Sequence, residues 1–345
     1  MRTDLFDYEL PPEAVAQTPV EPRHAARMLV DMGAGISHRR VAELGQMLQP
    51  GDVVVVNNTK VLAARLRLYK PTGGAVEVLL LEPTGNGDEW QALVRPSRRV
   101  PTGTKLELDG RRLVEVGEPV GDGRRLVYVD SAAIEDAGEI PLPPYIIEPL
   151  ADPDRYQTVF ADRLGSVAAP TAGLHLSHQV LDDLEAKGIP VETVELFVGL
   201  GTFRPISSEN VEDHNMHHER YRIDPATWQR LQAAERIVAV GTTVVRTLEA
   251  AAKSGETEGS TDLFIRRGFD WRMVDVLLTN FHVPRSSLLV LVDAFVGDRW
   301  RQIYQVALGE GYRFLSFGDC MLLSRQPRDL GEQVGNSEPL KQELL

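Results

Sequence analysis

Three histidines stand where the surrounding residue types could use a proton. His175 closes a loop of small residues, Gly165-Ser-Val-Ala-Ala-Pro-Thr-Ala-Gly-Leu-His175. His217 lies in Asn215-Met-His-His-Glu-Arg-Tyr221, a stretch dense in titratable groups, and His282 follows Leu278-Thr-Asn-Phe281. An imidazole titrates near neutrality and a nearby carboxylate can orient or charge it, so the pattern points to general acid–base work. His217 and Glu219 alternate along an expected strand and would face one side, away from His218. A metal site built from His217 and Glu219 with His175, His214 or His282 matches no known ligand spacing, and no metal is expected.

The elements that must position these groups share one form. In Val274 to Ser287 an apolar strand stops abruptly at Thr279, Asn280, Phe281 and His282, and Ser286 or Ser287 then caps an apolar helix, Leu288 to Val296, that closes at Gly297. Val53 to Val56, a run that only a buried strand would want, ends in Asn57-Asn-Thr-Lys60. Ile237 to Val240 is a third such strand, and Gly241-Thr-Thr243 opens the helix Val244 to Ala252 with Arg246 just inside it. Strand, glycine, hydroxyls and helix start make an anion-binding geometry. The plainer alternative is that these hydroxyls and amides only satisfy backbone groups in tight turns. Val191 to Val198 feeds Gly199-Leu-Gly201, which lacks the third glycine and the helix of a dinucleotide fingerprint.

Composition narrows the class. With 345 residues, 43% hydrophobic and 25% charged, the chain can bury a sizeable core and is expected to hold two domains. No apolar run approaches a membrane span, and Met1 to Leu10 carries acids where a signal peptide needs a basic region, so a cytoplasmic location is expected. Cys320 is the single cysteine, which excludes an intrachain disulfide, a cysteine-based zinc site and a cysteine-ligated iron–sulfur cluster within one chain. A net charge of −13 argues against general nucleic-acid binding, so an RNA partner would need a local basic face.

Such a face is available in the middle of the chain. From about Leu66 to Tyr156 short β-rich runs alternate with Gly, Pro and Asp turns, which reads as a small β-barrel inserted into a larger α/β body. The expected division is 1–65 with 156–324 as a discontinuous catalytic body, 66–155 as the inserted barrel, and 325–345 as a loose tail. Arg95, Arg98, Arg99, Arg111, Arg112, Arg124 and Arg125 cluster in the barrel. Elsewhere the reading places an extended arm at Asp4 to Leu29, a short helix at Val41 to Leu48, helices at Ser177 to Lys187, Thr227 to Glu235 and Trp300 to Leu308, an exposed acidic loop at Ser254 to Thr261, a strand at Leu263 to Ile265, and a last strand within Tyr312 to Leu323.

Together these pieces resemble the S-adenosylmethionine:tRNA ribosyltransferase-isomerases. The resemblance runs to about Leu323 through Gly51-Asp-Val-Val-Val-Val-Asn-Asn-Thr59, Pro141-Leu-Pro-Pro-Tyr145, Tyr156-Gln-Thr158, Ala169-Pro-Thr-Ala-Gly-Leu-His175, Val198-Gly-Leu-Gly-Thr-Phe203, Met216-His-His-Glu-Arg-Tyr221, Val240-Gly-Thr-Thr243, Leu278-Thr-Asn-Phe-His282 and Tyr312-Arg-Phe314. It implies an α/β body with an inserted barrel in an enzyme of queuosine biosynthesis. Such an enzyme moves the ribosyl part of S-adenosylmethionine onto 7-aminomethyl-7-deazaguanine at the tRNA wobble position, giving epoxyqueuosine and releasing adenine and methionine. S-adenosylmethionine is then a consumed substrate, no further cofactor is expected, and the chain is expected to act as a monomer.

That chemistry needs a base for the proton beside the sulfonium, an acid for the departing adenine, and a grip on the incoming amine. His217 with Glu219, or His175, is expected to supply the base, and His282 or Asp319 the acid. Thr279, Asn280 and Phe281 would hold the nucleoside, and Gly241, Thr242 and Thr243 the methionine carboxylate. Thr171, Gly173, Gly199 and Gly201 would let the backbone approach the same substrate. Lys60, Arg65, Arg95, Arg98 and Arg99 are the expected tRNA phosphate contacts. The chain departs from the family at Phe197, where His is usual, at Leu176, where Phe is usual, and at Arg266-Arg-Gly268, where an aromatic-Pro-Gly sequence is usual. Two rivals remain at this level: a methyltransferase, which should show a glycine-rich first loop on a doubly wound sheet, and a non-catalytic RNA-binding protein, which would leave the titratable groups idle.

Overall fold

The computed structural model describes residues 1–121, 123–199 and 205–325. The expected glycine contact at Gly201 and all of the expected tail beyond Arg325 lie outside these described residues. In chain order, β1 (Arg27–Asp31) and β2 (Ile36–Arg40) form a hairpin, and a short helix α1 (Leu44–Met47) leads to β3 (Asp52–Asn57) and β4 (Thr59–Val61). The chain then leaves through β5 (Arg65–Tyr69), β6 (Ala75–Pro83), β7 (Glu89–Arg95), β8 (Lys105–Leu108), β9 (Arg111–Gly121), β10 (Arg124–Val129), α2 (Ser131–Ala137) and β11 (Gly138–Glu139). It returns at β12 (Arg163–Ser166), which lies parallel to β4. After that come α3 (His178–Ala186), β13 (Val191–Leu196), β14 (Glu219–Arg222), α4 (Pro225–Ala233), β15 (Arg236–Val240), α5 (Thr242–Ser254), β16 (Glu258–Thr261), β17 (Val276–Asn280), α6 (Ser287–Val296), α7 (Arg299–Gly309) and β18 (Cys320–Ser324).

The body is a nine-stranded mixed sheet in the order β16-β14-β13-β3-β15-β17-β18-β1-β2. Its central four strands, β13, β3, β15 and β17, are mutually parallel. Of these, β3, β15 and β17 are buried on both faces because helices cover both sides. Val53 and Val55 of β3, Ile237 and Ala239 of β15, and Leu277 of β17 enter one core with α5, α6 and α7. Val54, Val56, Val238, Val240, Val276 and Leu278 enter the opposite core with α1 and α3. A bidentate pair, Arg236 Nε and Nη2 each 2.6 Å from an Asp52 carboxylate oxygen, fixes β15 against β3 at the strands' starting end.

The second sheet closes on itself. Its order is β11-β5-β6-β7-β10-β9-β8, and β8 pairs back to β5 through Tyr69 and Glu107, so six antiparallel strands make a barrel. Alternation explains it: Leu66 and Leu68, Val76, Val78 and Leu80, Val114 and Val116, and Val127 and Val129 point into one interior cluster. Most of their sequence neighbours face out, Leu79 and Leu113 being buried with them. Arg125, one of the clustered arginines, is buried and donates to the Gly117 and Val100 carbonyls and to Thr102 Oγ1. It holds the barrel wall and is withdrawn from any basic surface.

Three local readings are corrected. The extended arm does not run to Leu29, because Met28, Leu29 and Val30 are buried within β1, between β18 and β2; the prolines before them hide a strand that is covered on both faces. The acidic loop Ser254 to Thr261 ends in strand β16, an exposed edge paired with β14, whose polar residues carry little strand signal. Leu263 to Ile265 is irregular, and Ile265 is buried as a loop side chain.

Candidate active site

The parallel strands all finish at one end of the body, and the antiparallel neighbours begin there. Asn280 at the end of β17 is paired with Cys320 at the start of β18, which brings Asp319 alongside, while Glu219 opens β14 just beyond the end of β13. Ligands of α/β sheets gather at such an edge, because polar side chains and free helix N–H groups converge there. Most of the expected site residues are brought to this edge.

At its centre is Asn280. Its amide nitrogen lies 2.8 Å from His175 Nε2 and donates to the Leu315 carbonyl at 3.1 Å, and its amide oxygen accepts from Thr171 Oγ1 at 3.1 Å. Thr171 and His175, each more than a hundred residues of chain from Asn280, thus form one network with it. Burial, with Arg155, Arg23 and Arg313 nearby, lowers the His175 pKa to about 4, so the ring is neutral at neutral pH.

Beside this network is the start of α5. Gly241 has φ +93° and ψ 155°, a backbone region that a side chain would strain, and an added Cβ would also meet Ala172 Cβ at 3.4 Å. The loop carrying Thr171 and His175 therefore packs directly on the helix entrance. Among the described residues no side chain caps this helix, which leaves its first N–H groups to water or a ligand. Thr243 Oγ1 is buried with no hydrogen-bond partner among the described residues and sits 3.6 Å from where that Gly241 Cβ would be, aimed back at the entrance. Gly173 is tightly enclosed as well, since a Cβ there would fall 3.0 Å from Thr158 Cγ2 and 2.8 Å from Phe160 Cζ.

Glu219 has a different employment from the one expected. It is buried, its Oε2 accepts from Arg246 Nη1, and its Oε1 accepts the Gly199 N–H at 3.0 Å. Arg246 also donates to the Leu263 and Thr261 carbonyls. The carboxylate is thus tied to a guanidinium and a backbone amide, which fixes its position between α5 and the end of β13. His217 precedes β14 and is exposed, so it does not share the Glu219 environment; the strand starts two residues later than its alternation suggested. His217 is therefore open to solvent.

The two expected acids are enclosed. His282 Nε2 lies 3.0 Å from Thr279 Oγ1, its N–H donates to Tyr304 Oη and its carbonyl accepts from Tyr8 Oη. Burial alone lowers its pKa to about 3. Asp319 accepts the Arg27 N–H at 2.7 Å and the Arg313 N–H at 2.8 Å; burial raises its pKa against those two hydrogen bonds. Each braces neighbouring chain through these contacts. Phe281 is fully buried, stacked on Phe314 with ring centres 4.6 Å apart and edge-on to Tyr304 and Tyr312. It belongs to the core under the site, not to a nucleoside slot.

Lys60, on β4 beside the barrel, and Arg95, Arg98 and Arg99 on the barrel are exposed, whereas Arg65 is half-buried, 3.7 Å from Glu77 and donating to the Leu142 carbonyl at 3.4 Å. Arg65 and Arg95 line a cleft of about 130 Å³ between the barrel, the Pro141–Pro144 connector and Val167–Ala168 of the body. The sequence suggests no role for Thr158, whose buried hydroxyl also has no partner among the described residues, and no buried partner for Arg246. The signal for Arg246 was present: an arginine among Val244, Val245, Leu248 and Ala250, all buried, needs a buried partner.

Comparison with known proteins gives this geometry a family. A family model described as queuosine biosynthesis protein matches residues 3–323. The chain is 51% identical over 336 residues to the S-adenosylmethionine:tRNA ribosyltransferase-isomerase of Rubrobacter xylanophilus, covering 96% of this chain and 100% of that one. It is 50% identical over 345 residues to the protein of the same name from Moorella thermoacetica, covering 94% and 100%. The crystal structure of the S-adenosylmethionine tRNA ribosyltransferase of Thermotoga maritima aligns with a TM-score of 0.53 at 36% identity, over 92% of this chain and 99% of that one. On the extent of these matches, the chain belongs to the queuosine biosynthesis protein family.

Proposed function

We infer that the chain is an S-adenosylmethionine:tRNA ribosyltransferase-isomerase, which transfers and isomerises the ribosyl moiety of S-adenosylmethionine onto 7-aminomethyl-7-deazaguanine at the tRNA wobble position. The products are epoxyqueuosine-tRNA, adenine and methionine. The observation that carries this is the family match across residues 3–323, together with relatives of that name at half or more identical positions over their whole length.

The residue roles are our proposal. The methionine carboxylate binds at the α5 entrance, where the free N–H groups of Thr242 and Thr243 and the unpartnered Thr243 hydroxyl favour an anion. Gly241 and Gly173 keep the backbone close to it. His217 takes the proton beside the sulfonium from the exposed rim. Lys60, Arg95, Arg98 and Arg99 contact tRNA phosphates, and Arg65 shapes the cleft between barrel and body. S-adenosylmethionine is consumed, the reading includes no metal or other cofactor, and the enzyme acts in the cytoplasm as a monomer.

The test is to incubate the protein with S-adenosylmethionine and tRNA carrying the aminomethyl-deazaguanine base and to identify the small products by mass. Adenine and methionine, formed only with that base present, are expected. S-adenosylhomocysteine would mean methyl transfer and would sink the reading.

A further inference from the structure

The orientation of the Asn280 amide is fixed by its surroundings. The Leu315 carbonyl can only accept, so the group 3.1 Å from it must be the amide nitrogen, and the Thr171 hydroxyl is then free to donate to the amide oxygen. The nitrogen has two hydrogens: one goes to Leu315 and the other points at His175 Nε2, 2.8 Å away. A hydrogen arriving there requires a lone pair on Nε2. In a neutral ring the proton must then sit on Nδ1, and a doubly protonated ring would set N–H against N–H.

The charges around the ring agree. Arg155, Arg23 and Arg313 are the cations facing it. The nearby acids are engaged elsewhere: Glu21 pairs with Arg155, and Asp319 accepts the backbone N–H groups of Arg27 and Arg313. Arg23 itself donates to the Leu174 and Asp154 carbonyls.

We propose that Asn280 is a positioning residue that holds His175 as the neutral Nδ1–H tautomer, so that His175 serves the site as a hydrogen-bond donor and not as its base. Both hydrogens of the Asn280 amide are then engaged within the protein, which leaves only its oxygen, already accepting from Thr171, with a further lone pair for a ligand. The catalytic half of the proposal rests on the ribosyl-transfer reading; the tautomer does not.

The experiment is nitrogen NMR on the intact enzyme labelled at histidine, with His175→Gln used to assign its signals. The wild type should show a protonated, pyrrole-like Nδ1 and an unprotonated, pyridine-like Nε2 for His175, unchanged through neutral pH. Asn280→Asp replaces the donor with a carboxylate, which should move the proton to Nε2 and raise the pH at which the ring titrates. The same variant should lose more than about tenfold in kcat, as expected when an imidazole is held in the wrong tautomer, with KM for tRNA unchanged. An Nε2–H signal in the wild type would overturn the proposal even if Asn280→Asp failed to fold. So would a variant that inverts the tautomer without loss of kcat. If the wild type has the expected tautomer but yields no adenine and methionine, the ribosyl-transfer reading fails and the positioning of His175 by Asn280 stands.

Discussion

Arg246 and Glu219 meet inside the protein, with their side chains only 6% and 4% exposed, and the carboxylate passes the link on to the Gly199 N–H. A buried ion pair of this kind adds little against an apolar replacement, but removing one partner strands the other charge. Arg246→Leu should therefore lower stability by about 3–5 kcal/mol in urea titration. Adding Glu219→Gln, which keeps an oxygen for Gly199 without the charge, should recover part of that loss. Simple additivity of the two changes would show that the pair is not coupled.

Two buried neutral histidines make stability depend on pH with a definite sign. The pKa values of His175 and His282 are lowered by burial to about 4 and about 3, so the folded state refuses protons that the unfolded chain accepts from about pH 6.5 downward. Their contribution is complete above about pH 6.5 and is lost as pH falls toward the folded values, at up to about 1.4 kcal/mol per pH unit for each ring. Asp319 and Glu249, whose carboxyls burial raises, act in the opposite sense at the acidic end. Comparing His282→Asn with wild type isolates one ring: the slope of stability between about pH 4.5 and 6 should fall by roughly half. An unchanged slope would mean that His282 is charged in the folded protein.

The unpartnered hydroxyl of Thr243 separates binding from stability. Thr243→Val keeps the shape and removes a buried polar atom that has no hydrogen-bond partner among the described residues, so stability should hold or rise by about 1 kcal/mol. If the hydroxyl meets the substrate carboxylate, KM for S-adenosylmethionine should rise about tenfold, the cost of about one lost hydrogen bond to a charged group. A variant with lower stability and unchanged KM would make the hydroxyl part of the core.

His217 is the exposed imidazole of the set. His217→Ala should lower turnover by about 10²–10⁴-fold, the usual worth of a positioned proton-transfer group, while the melting temperature stays near wild type because the side chain packs against little. Equal loss of both would make it structural.

How much of this was legible depends on whether the signal was local. The valine run of β3, the Ser177 and Ser286 helix caps and the alternating barrel strands are written in neighbouring residues, and each is where the sequence puts it. The clustering of polar groups at strand ends was legible too, because an apolar run that stops at Asn or Thr needs only its own sequence to be noticed. The partners were not. Glu219 beside His217 reads as a catalytic pair until Arg246 arrives from another element, and Asn280 reads as a ligand contact until Thr171, His175 and Leu315 use its amide. Phe281 after Asn280 looks like a stacking ring, yet Phe314 and Tyr312, some thirty residues on, draw it into the core. Burial and long-range pairing decide roles that residue type leaves open.

The barrel arginines divide by their partners, and salt dependence can read the division. Lys60, Arg95, Arg98 and Arg99 are exposed, while Arg65 is held by Glu77 and the Leu142 carbonyl, and Arg125 is spent on the Gly117 and Val100 carbonyls. Each phosphate contact adds roughly 0.7–0.9 to the slope of log affinity against log salt. Replacing Lys60, Arg98 and Arg99 together by Ala should thus weaken tRNA binding and flatten that slope by about 2, with little change in melting temperature. Arg65→Ala should do the reverse, leaving the slope in place and loosening the joint between barrel and body, seen as a lower melting temperature. A triple variant that binds tRNA with the wild-type slope would place the tRNA on another face, and a flattened slope in Arg65→Ala would mean that this guanidinium leaves Glu77 when RNA binds.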